Sequence, residues 1–472
     1  MSAELTPQQK AFTLVGIMLG MFLAALDQTI VSTAARSIQL DLALPDALYG
    51  WIMTSYMVAS TVMVPIYGKL SDIYGRKPVL LVGMIIFLGG SAACGMARGY
   101  EMLFAARAVQ GLGSGALFVT AFAVVADMFP PDRRAKYTGL VGAVWGVAGV
   151  IGPLAGGVIT DHLGWHWIFF VNLPIGALAI AFVVAKMPKL GGGQKRAIDL
   201  SGALVLVIAV VPLLVALTLA PPSIEGRHIE AARWSDPFVL GLFAIAAAGA
   251  LVFYVVERRA KEPIVDFSLF ATPIYARGVA AVLVVGSAFF VAIIFLPWFM
   301  QAVMHVGATS SGVALIPLTL GIVAGNIGAG QVASRVGRYK PLLLLSLVGL
   351  GGSYALLGLT LGPDSTELGV TAEMVLVGLT LGPSIPLYVL AMQNGMPPPT
   401  IGAVTASATF FRQIGGTIGI AGLMTVFLTR MGGGADISDA TRAVFLVGVG
   451  IVAVAFVVTL TLPEIPLRKT HH

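Results

Sequence analysis

Long apolar segments dominate this chain and constrain its fold more than any other feature. Hydropathy divides the 472 residues into fourteen segments, most about 20 residues long or longer, with short polar loops between them. Helices of about 20 apolar residues span a bilayer, whereas membrane strands alternate and need only about 10. The sequence therefore predicts an all-α polytopic membrane protein with spans at 12–35, 48–68, 79–97, 102–125, 138–160, 167–186, 200–220, 238–256, 275–300, 312–333, 341–361, 370–394, 401–428 and 443–462.

The distribution of positive charge predicts the orientation. Of the 28 lysines and arginines, 19 fall in loops on one side of the fourteen spans, 6 fall on the other side, and Arg107, Arg277 and Arg412 lie in or at the edge of spans. Cytoplasmic loops are rich in Lys and Arg, so both termini are expected in the cytoplasm. The net charge of +6 is thus explained by topology, and no nucleic-acid partner is expected. The first span lacks the pattern of a cleaved signal.

A short charged loop occurs twice. Residues 68–78 read GKLSDIYGRKP, and residues 330–341 read GQVASRVGRYKP, with Gly-Arg, lysine and proline in matching order. Two copies of one loop indicate two related halves, as in secondary transporters. The copies follow spans two and ten, so removing spans seven and eight restores two six-helix halves. We therefore expect an N-terminal six-helix bundle at 1–190, a basic linker with two inserted helices at 191–265, and a C-terminal six-helix bundle at 266–472.

Asp27 is the only acidic residue deep inside a clear span, where a charged side chain is costly and usually functional. Counting inward from the outer ends of their spans places Asp27 and Arg107 at similar depths. A carboxylate that alternates between a proton and a basic partner suits proton coupling. The alternative is a permanent ion pair that holds spans one and four together.

A second charged group is expected on the cytoplasmic side. Asp72 and Arg76 of the first loop copy, with Asp127 at the end of span four, predict a charge cluster that acts as a gate. Asp72 is also placed to stabilise the positive end of a helix from the other half. Ser334 stands at the position of Asp72 in the second copy, so this contact is expected on one side only.

Small residues recur at helical spacing on spans five and ten, a pattern that lets membrane helices approach closely. We expect these residues to pack across the interface of the halves. The sharper hypothesis is that the two helices slide along each other during transport, and the alternative is static packing. The residues are Gly146, Gly149, Gly152, Pro153, Gly156, Gly321 and Gly325. The glycines at 111–115 follow no strand, so they favour helix packing over a phosphate loop.

Aromatic and polar residues within the spans are candidates for a substrate cavity, although such residues more often serve packing. The candidates are Tyr56, Asn172, Trp298, Gln301, Tyr388 and Arg412. Few buried charges favour lipophilic or amphipathic substrates, including cationic ones. The single Cys94 excludes an internal disulfide, and no cofactor or metal is expected.

The chain resembles the major facilitator superfamily, and within it the fourteen-helix drug:proton antiporters of the EmrB/QacA type. The resemblance covers nearly the whole chain and rests on the loop at 68–77, LDQTIV at 26–31, the segments 107–115 and 149–157, and WHWIFFVNLPIG at 165–176. The chain departs from the residues usual in that family at three places. It has His166 where an arginine is usual, Ser32 where an asparagine is usual, and Ala35-Arg36 where Leu-Pro is usual. The resemblance implies a major facilitator fold of two six-helix bundles with two extra helices, and export as the direction of transport.

The expected function is proton-coupled antiport of lipophilic or amphipathic small molecules from the cytoplasm by alternating access. An uptake symporter and a lipid or metabolite exporter of the same fold remain alternatives, as does a non-transporting receptor. An enzyme is not expected, because no catalytic motif occurs. The expected partners are a small-molecule substrate, protons and the bilayer of the cell inner membrane, with a monomer expected and a periplasmic adaptor left open.

Overall fold

The computed structural model describes residues 6–45, 48–190, 199–221, 223–225, 228–230, 233–304, 316–397 and 400–467. Within these ranges the chain is helical apart from loops, one 3₁₀ turn at Phe267–Ala271 and a two-stranded antiparallel hairpin of Ser223–Glu225 with His228–Glu230. The helices are α1 Pro7–Asp41, α2 Trp51–Tyr74, α3 Arg76–Gly95, α4 Tyr100–Met128, α5 Pro131–Leu163, α6 Trp167–Phe170, α7 Asn172–Lys186, α8 Leu200–Leu219, α9 Pro237–Arg259, α10 Pro273–Ala302, α11 Ile316–Val336, α12 Lys340–Thr360, α13 Glu367–Leu381, α14 Ser384–Asn394, α15 Ile401–Gly432 and α16 Ile437–Thr461.

Thirteen helices of the described ranges are long and apolar enough to cross a membrane, with α6 joined to α7 and α13 joined to α14 as single spans. Helix α2 is not among them, although its 24 residues suffice in length. It carries Lys69, Ser71 and Asp72 in its last turns, which lower its hydropathy. The chain is therefore a multi-pass helical membrane protein with thirteen or fourteen spans.

The two loop copies share their backbone geometry. Gly75 between α2 and α3 has φ 93°, and Gly337 between α11 and α12 has φ 73°. Side chains rarely adopt this region of φ, so glycine suits both turns. The repeated Gly-Arg of the sequence thus marks one turn used twice, although Arg76 already belongs to a helix and Arg338 precedes one.

Helices that the sequence assigns to different halves meet along two lines. Helix α5 packs against α11, where the Cα of Gly139 and the Cα of Gly330 face each other. Helix α2 packs against α15, where Gly68 meets Ala406 and Gly402. Apolar residues from both halves also share one core in which Phe122 packs with residues of α14 and α15.

Helices α8 and α9 pack against each other, and α8 also packs against α2 and α15. One core cluster joins Val64 of α2, Leu206 and Val210 of α8, and Phe410 and Ile414 of α15. The first helix of the pair that the sequence predicts as an insertion therefore covers the junction of α2 with α15. Lys69 of α2 also forms an ion pair of 2.7 Å with Glu262, which follows α9.

Candidate functional site

Asp27 of α1 and Arg107 of α4 lie in direct contact inside the N-terminal half. Arg107 Nη1 is 2.5 Å from Asp27 Oδ2, and both side chains are 0% exposed. Arg107 Nε also donates to the carbonyl oxygen of Ile52 at 3.1 Å, which ties the guanidinium to the start of α2. Two charges taken fully out of water are tolerated because each supplies the counter-charge of the other.

Two amides complete the surroundings of the Asp27 carboxylate. Gln110 Nε2 donates to Asp27 Oδ1 at 2.7 Å, and Gln110 Oε1 accepts from Arg107 Nη1 at 2.7 Å. Asn172 Nδ2 donates to Asp27 Oδ1 at 3.4 Å and to Ser91 Oγ at 3.0 Å. Both carboxylate oxygens therefore accept hydrogen bonds. Gln110 was not among the predicted site residues, yet its position three residues after Arg107 places it on the same helix face.

The aromatic ring of Tyr56 packs against the Arg107 guanidinium, with 4.3 Å from the guanidinium carbon to the ring centroid. Its hydroxyl donates to Ser114 Oγ at 2.5 Å, and the residue is 0% exposed. Tyr56 and Asn172 were predicted to bind substrate. The structure places both around the Asp27–Arg107 pair, where Asn172 donates to the carboxylate and the Tyr56 ring packs on the guanidinium. Their assignment to substrate binding stays a prediction.

The network retains unused hydrogen-bonding capacity at two atoms. Arg107 Nη2 and Asn172 Oδ1 are buried, and neither has a hydrogen-bond partner. Buried polar atoms of this kind are uncommon in native proteins and call for an explanation. Here a donor and an acceptor remain for a rearranged state of the same network.

The charged cluster on the predicted cytoplasmic side forms around Arg76. Arg76 Nη1 is 2.5 Å from Asp72 Oδ1, and Arg76 Nε is 2.8 Å from Asp127 Oδ2. The second oxygen of Asp72 accepts from the backbone N–H of Ala403 at 3.0 Å, in the first turn of α15. A carboxylate at a helix N-terminus is stabilised by the helix dipole. Asp72 thus connects α2 of one half to α15 of the other, and we call this contact the Asp72 latch.

The second loop copy is arranged differently. Arg338 donates two hydrogen bonds to the Glu464 carboxylate, at 2.8 Å from Nε and 2.7 Å from Nη2. These hydrogen bonds lower the pKa of Glu464 below its ordinary value. Both residues follow or precede helices of the C-terminal half, so this pair connects elements of one half.

The predicted glycine stripes do not pack on each other as expected. Gly146 and Gly149 do face α11, where a Cβ would meet Val323 and Thr319. Gly152 and Gly156 instead face Thr29 and Thr33 of α1, within their own half. Their assignment to the interface of the halves is therefore wrong. Pro153, between them, is buried inside α5.

The prediction is also wrong for the stripe on α11. A Cβ on Gly321 would meet the Val375 carbonyl, and one on Gly325 would meet the Leu379 carbonyl, both on α13 of the same half. The residue of α11 that faces α5 closely is Gly330, whose missing Cβ leaves room for the Ala135 carbonyl. A stripe of glycines indicates close packing but does not identify the neighbour.

Of the remaining cavity candidates, Tyr388 and Arg412 lie beside one small enclosed space. Tyr388 is 1% exposed, and its hydroxyl is 2.5 Å from Thr459 Oγ1. The Arg412 guanidinium lies over the Phe289 ring, at 5.9 Å from the centroid. The side chains of Trp298 and Gln301 lie outside the described part of the structure. The space has about 20 Å³ of room for water-sized spheres and is lined by Phe122, Val282, Val285, Phe289, Ser384, Ile385, Tyr388, Val389, Ala408, Thr409 and Arg412.

Comparison with known proteins identifies the family. The model of the Major Facilitator Superfamily matches residues 17–420. Multidrug resistance protein 3 of Bacillus subtilis (strain 168) is 37% identical over 409 residues, which cover 87% of this chain and 78% of that protein. Multidrug transporter protein MdtP of the same organism is 37% identical over 434 residues, covering 92% and 78%. Efflux pump FUS6 of Gibberella moniliformis is 31% identical over 448 residues, covering 92% and 77%.

Solved structures agree on the fold. The human organic anion transporter MFSD10 superposes with a TM-score of 0.69 at 16% identity, covering 96% of this chain and all of that chain. The proton:xylose symporter XylE superposes with a TM-score of 0.69 at 12% identity, covering 96% of each chain. The relatives are named as transporters, and the family is one of transporters rather than enzymes. The chain belongs to the Major Facilitator Superfamily.

Proposed function

We propose that this protein is a proton-coupled antiporter that exports lipophilic or amphipathic small molecules by alternating access. The names of its relatives, which are a multidrug resistance protein, a multidrug transporter and an efflux pump, support export as the direction of transport. The single observation that carries proton coupling is the fully buried contact of Asp27 with Arg107. A fourteen-span arrangement of the EmrB/QacA type, in the cell membrane with both termini cytoplasmic, follows from counting α2 as a span and from the charge of the loops.

Protonation of Asp27 removes the charge that holds Arg107. The neutral carboxyl no longer forms an ion pair, so the arginine retains only the hydrogen bonds that it donates to Gln110 Oε1 and the Ile52 carbonyl, and its contact with the Tyr56 ring. A buried cation that loses its counter-charge is strongly destabilised, and this energy favours another arrangement of α1 and α4.

Helix α1 has a direct connection to the interface of the halves. Thr29, two residues after Asp27, donates a hydrogen bond of 2.9 Å from Oγ1 to the Ala148 carbonyl of α5. The next residue of α5, Gly149, faces Thr319 of α11. A shift of α1 on protonation therefore reaches α11 of the other half through one helix. The Asp72 latch closes the predicted cytoplasmic side in this arrangement.

Replacing Asp27 with Asn tests the coupling. D27N keeps the size of the side chain and one accepting oxygen but cannot carry a negative charge or exchange a proton. In proteoliposomes with an imposed pH gradient, we expect D27N to lose at least ten-fold in the gradient-driven export rate of a panel of cationic, neutral and anionic amphiphiles. Inserted protein should be retained, and equilibrative exchange without a gradient should continue.

Glu101→Gln is the matched control, because Glu101 is an exposed acid in the first turn of α4, the helix of Arg107. Unchanged gradient-driven export by D27N would remove Asp27 from the coupling role. Substrate-induced proton movement in the same direction as the substrate would instead identify a symporter.

A further inference from the structure

Arg412 occupies the middle of the membrane. It lies on α15, which begins at Ile401 on the predicted cytoplasmic side. Eleven residues of helix rise place its Cα roughly 16 Å from that end, close to the midplane of a hydrocarbon core about 30 Å thick. This is the depth at which transporters of two related halves hold their substrates.

No counter-charge for Arg412 lies among the residues that the structure describes. None of their ion pairs and hydrogen bonds involves the Arg412 guanidinium, which lies over the Phe289 ring. The contrast with Arg107 is direct, because Arg107 is held by Asp27, Gln110 and Ile52. A basic group at the bilayer centre is costly and ordinarily faces a counter-charge or a path for a charged molecule.

The space beside Arg412 is otherwise apolar. Phe122 comes from the N-terminal half, and Val285 and Phe289 come from the C-terminal half, so the space lies between the halves. Ser384 and Thr409 add hydroxyls, and no carboxylate belongs to the described lining. A wall of aromatic and aliphatic groups with one fixed positive charge is complementary to an apolar molecule that carries one negative charge.

We propose that Arg412 binds the carboxylate of an amphipathic organic anion and so makes such anions the preferred substrates of the transporter. The guanidinium offers a fork of donors that matches a carboxylate. The apolar part of the molecule contacts the rings of Phe122 and Phe289. This inference rests on the proposed export function and narrows its substrate class, since the same charge repels lipophilic cations.

The present space holds about one water, so the anion enters when the halves separate. Separation moves Phe122 away from α10 and α15, because that ring belongs to the other half. Arg412 and its partner Phe289 stay together, because both belong to the C-terminal half.

Three naphthalene derivatives that share one ring system test the inference: naphthylacetate, naphthylethanol and naphthylethylammonium. Binding is measured by calorimetry on purified protein without a pH gradient. We expect wild-type protein to bind naphthylacetate at least ten-fold more tightly than either of the others. R412Q should lose this preference and keep its affinity for naphthylethanol, and R412K should retain part of the preference because it retains the charge.

Arg430→Gln is the control, because Arg430 is exposed near the other end of the same helix. Equal affinities of wild-type protein for the three compounds, or an R412Q protein that still prefers naphthylacetate, would overturn the inference. The two proposals are tested separately, because naphthylacetate binding is measured without a pH gradient and the coupling test measures gradient-driven export. Anion preference without any proton-driven export would refute the proposed function and leave this inference standing.

Discussion

Arg107 and Arg412 show how different the same side chain is in two surroundings. Arg107 donates to a carboxylate, an amide and a carbonyl, whereas Arg412 lies over a single ring. The first arginine is part of a network that the fold needs, because removing it leaves Asp27 charged, buried and unpaired. The second arginine contributes no ion pair within the described residues, so its charge serves no evident structural purpose.

Replacing each arginine with glutamine should therefore have opposite consequences for stability. R107Q is expected to cost about 3–5 kcal/mol, because breaking a buried pair leaves an uncompensated charge. R412Q is expected to leave the thermal unfolding midpoint unchanged or to raise it, because it removes an unpaired charge from the membrane centre. Thermal unfolding of the purified variants in detergent at pH 7 measures both. Comparable losses in the two variants would contradict this account of Arg412.

At the scale of helices, close approach is decided at a few glycines. Gly139 and Gly330 bring α5 and α11 together near the predicted cytoplasmic end, with carbonyls of the opposite helix where their side chains would be. Gly328, which lies on α11 like Gly330, has no neighbouring atom within 4 Å of the position of a Cβ. Small residues matter for packing in membranes only where another helix lies opposite.

Replacing Gly330 with Val should hold the two helices apart. The added side chain meets the Ala135 carbonyl, which as backbone cannot move aside cheaply. We expect G330V to reduce the export rate at least ten-fold and to lower the unfolding midpoint. G328V should behave like wild-type protein in both measurements. Equal activity of G330V and G328V would show that this contact does not limit transport.

Loss of the Asp72 latch should open the predicted cytoplasmic side. D72A removes both the ion pair with Arg76 and the hydrogen bond to the first turn of α15. Spin labels on cysteines placed at the exposed Arg133 and Arg335, in a Cys94→Ser background, report the distance between the halves. We expect the distance distribution of D72A to shift to longer values, whereas E367Q, at the exposed first turn of α13, should not change it. An unchanged distribution in D72A would exclude the latch.

At the scale of the whole molecule, the depth of a side chain in the membrane was predictable from the sequence, but the direction in which it points around the helix axis was not. Helix rise is fixed, so counting residues brought Asp27 and Arg107 to one level, and the structure places them in contact. The direction in which a side chain points around the helix axis depends on packing. For this reason the positions of Tyr56 and Asn172 around the ion pair were not predicted, and Gly321 faces a helix of its own half. The loop repeat predicted the paired turns because positive φ restricts the choice of residue.

The charge asymmetry of the loops makes a prediction for the molecule as a whole. Both ends of the chain should lie in the cytoplasm, because 19 of the 28 basic residues are in loops on that side of a fourteen-span arrangement. Green fluorescent protein fused after Leu467 should fluoresce, and alkaline phosphatase at the same position should be inactive. Fusions in the loop between α8 and α9 should give the opposite result, with no fluorescence and with active phosphatase. Active phosphatase at the C-terminal fusion would contradict a cytoplasmic C-terminus.

The position of α8 has a consequence for compounds dissolved in the lipid. Because α8 lies across the junction of α2 with α15, a molecule that diffuses within the bilayer meets a third helix before it reaches that junction. Passage between the halves on this face requires α8 to be displaced, so sideways entry is obstructed there. Uptake of cargo from the surrounding lipid is thereby confined to other faces of the protein or to its aqueous mouth.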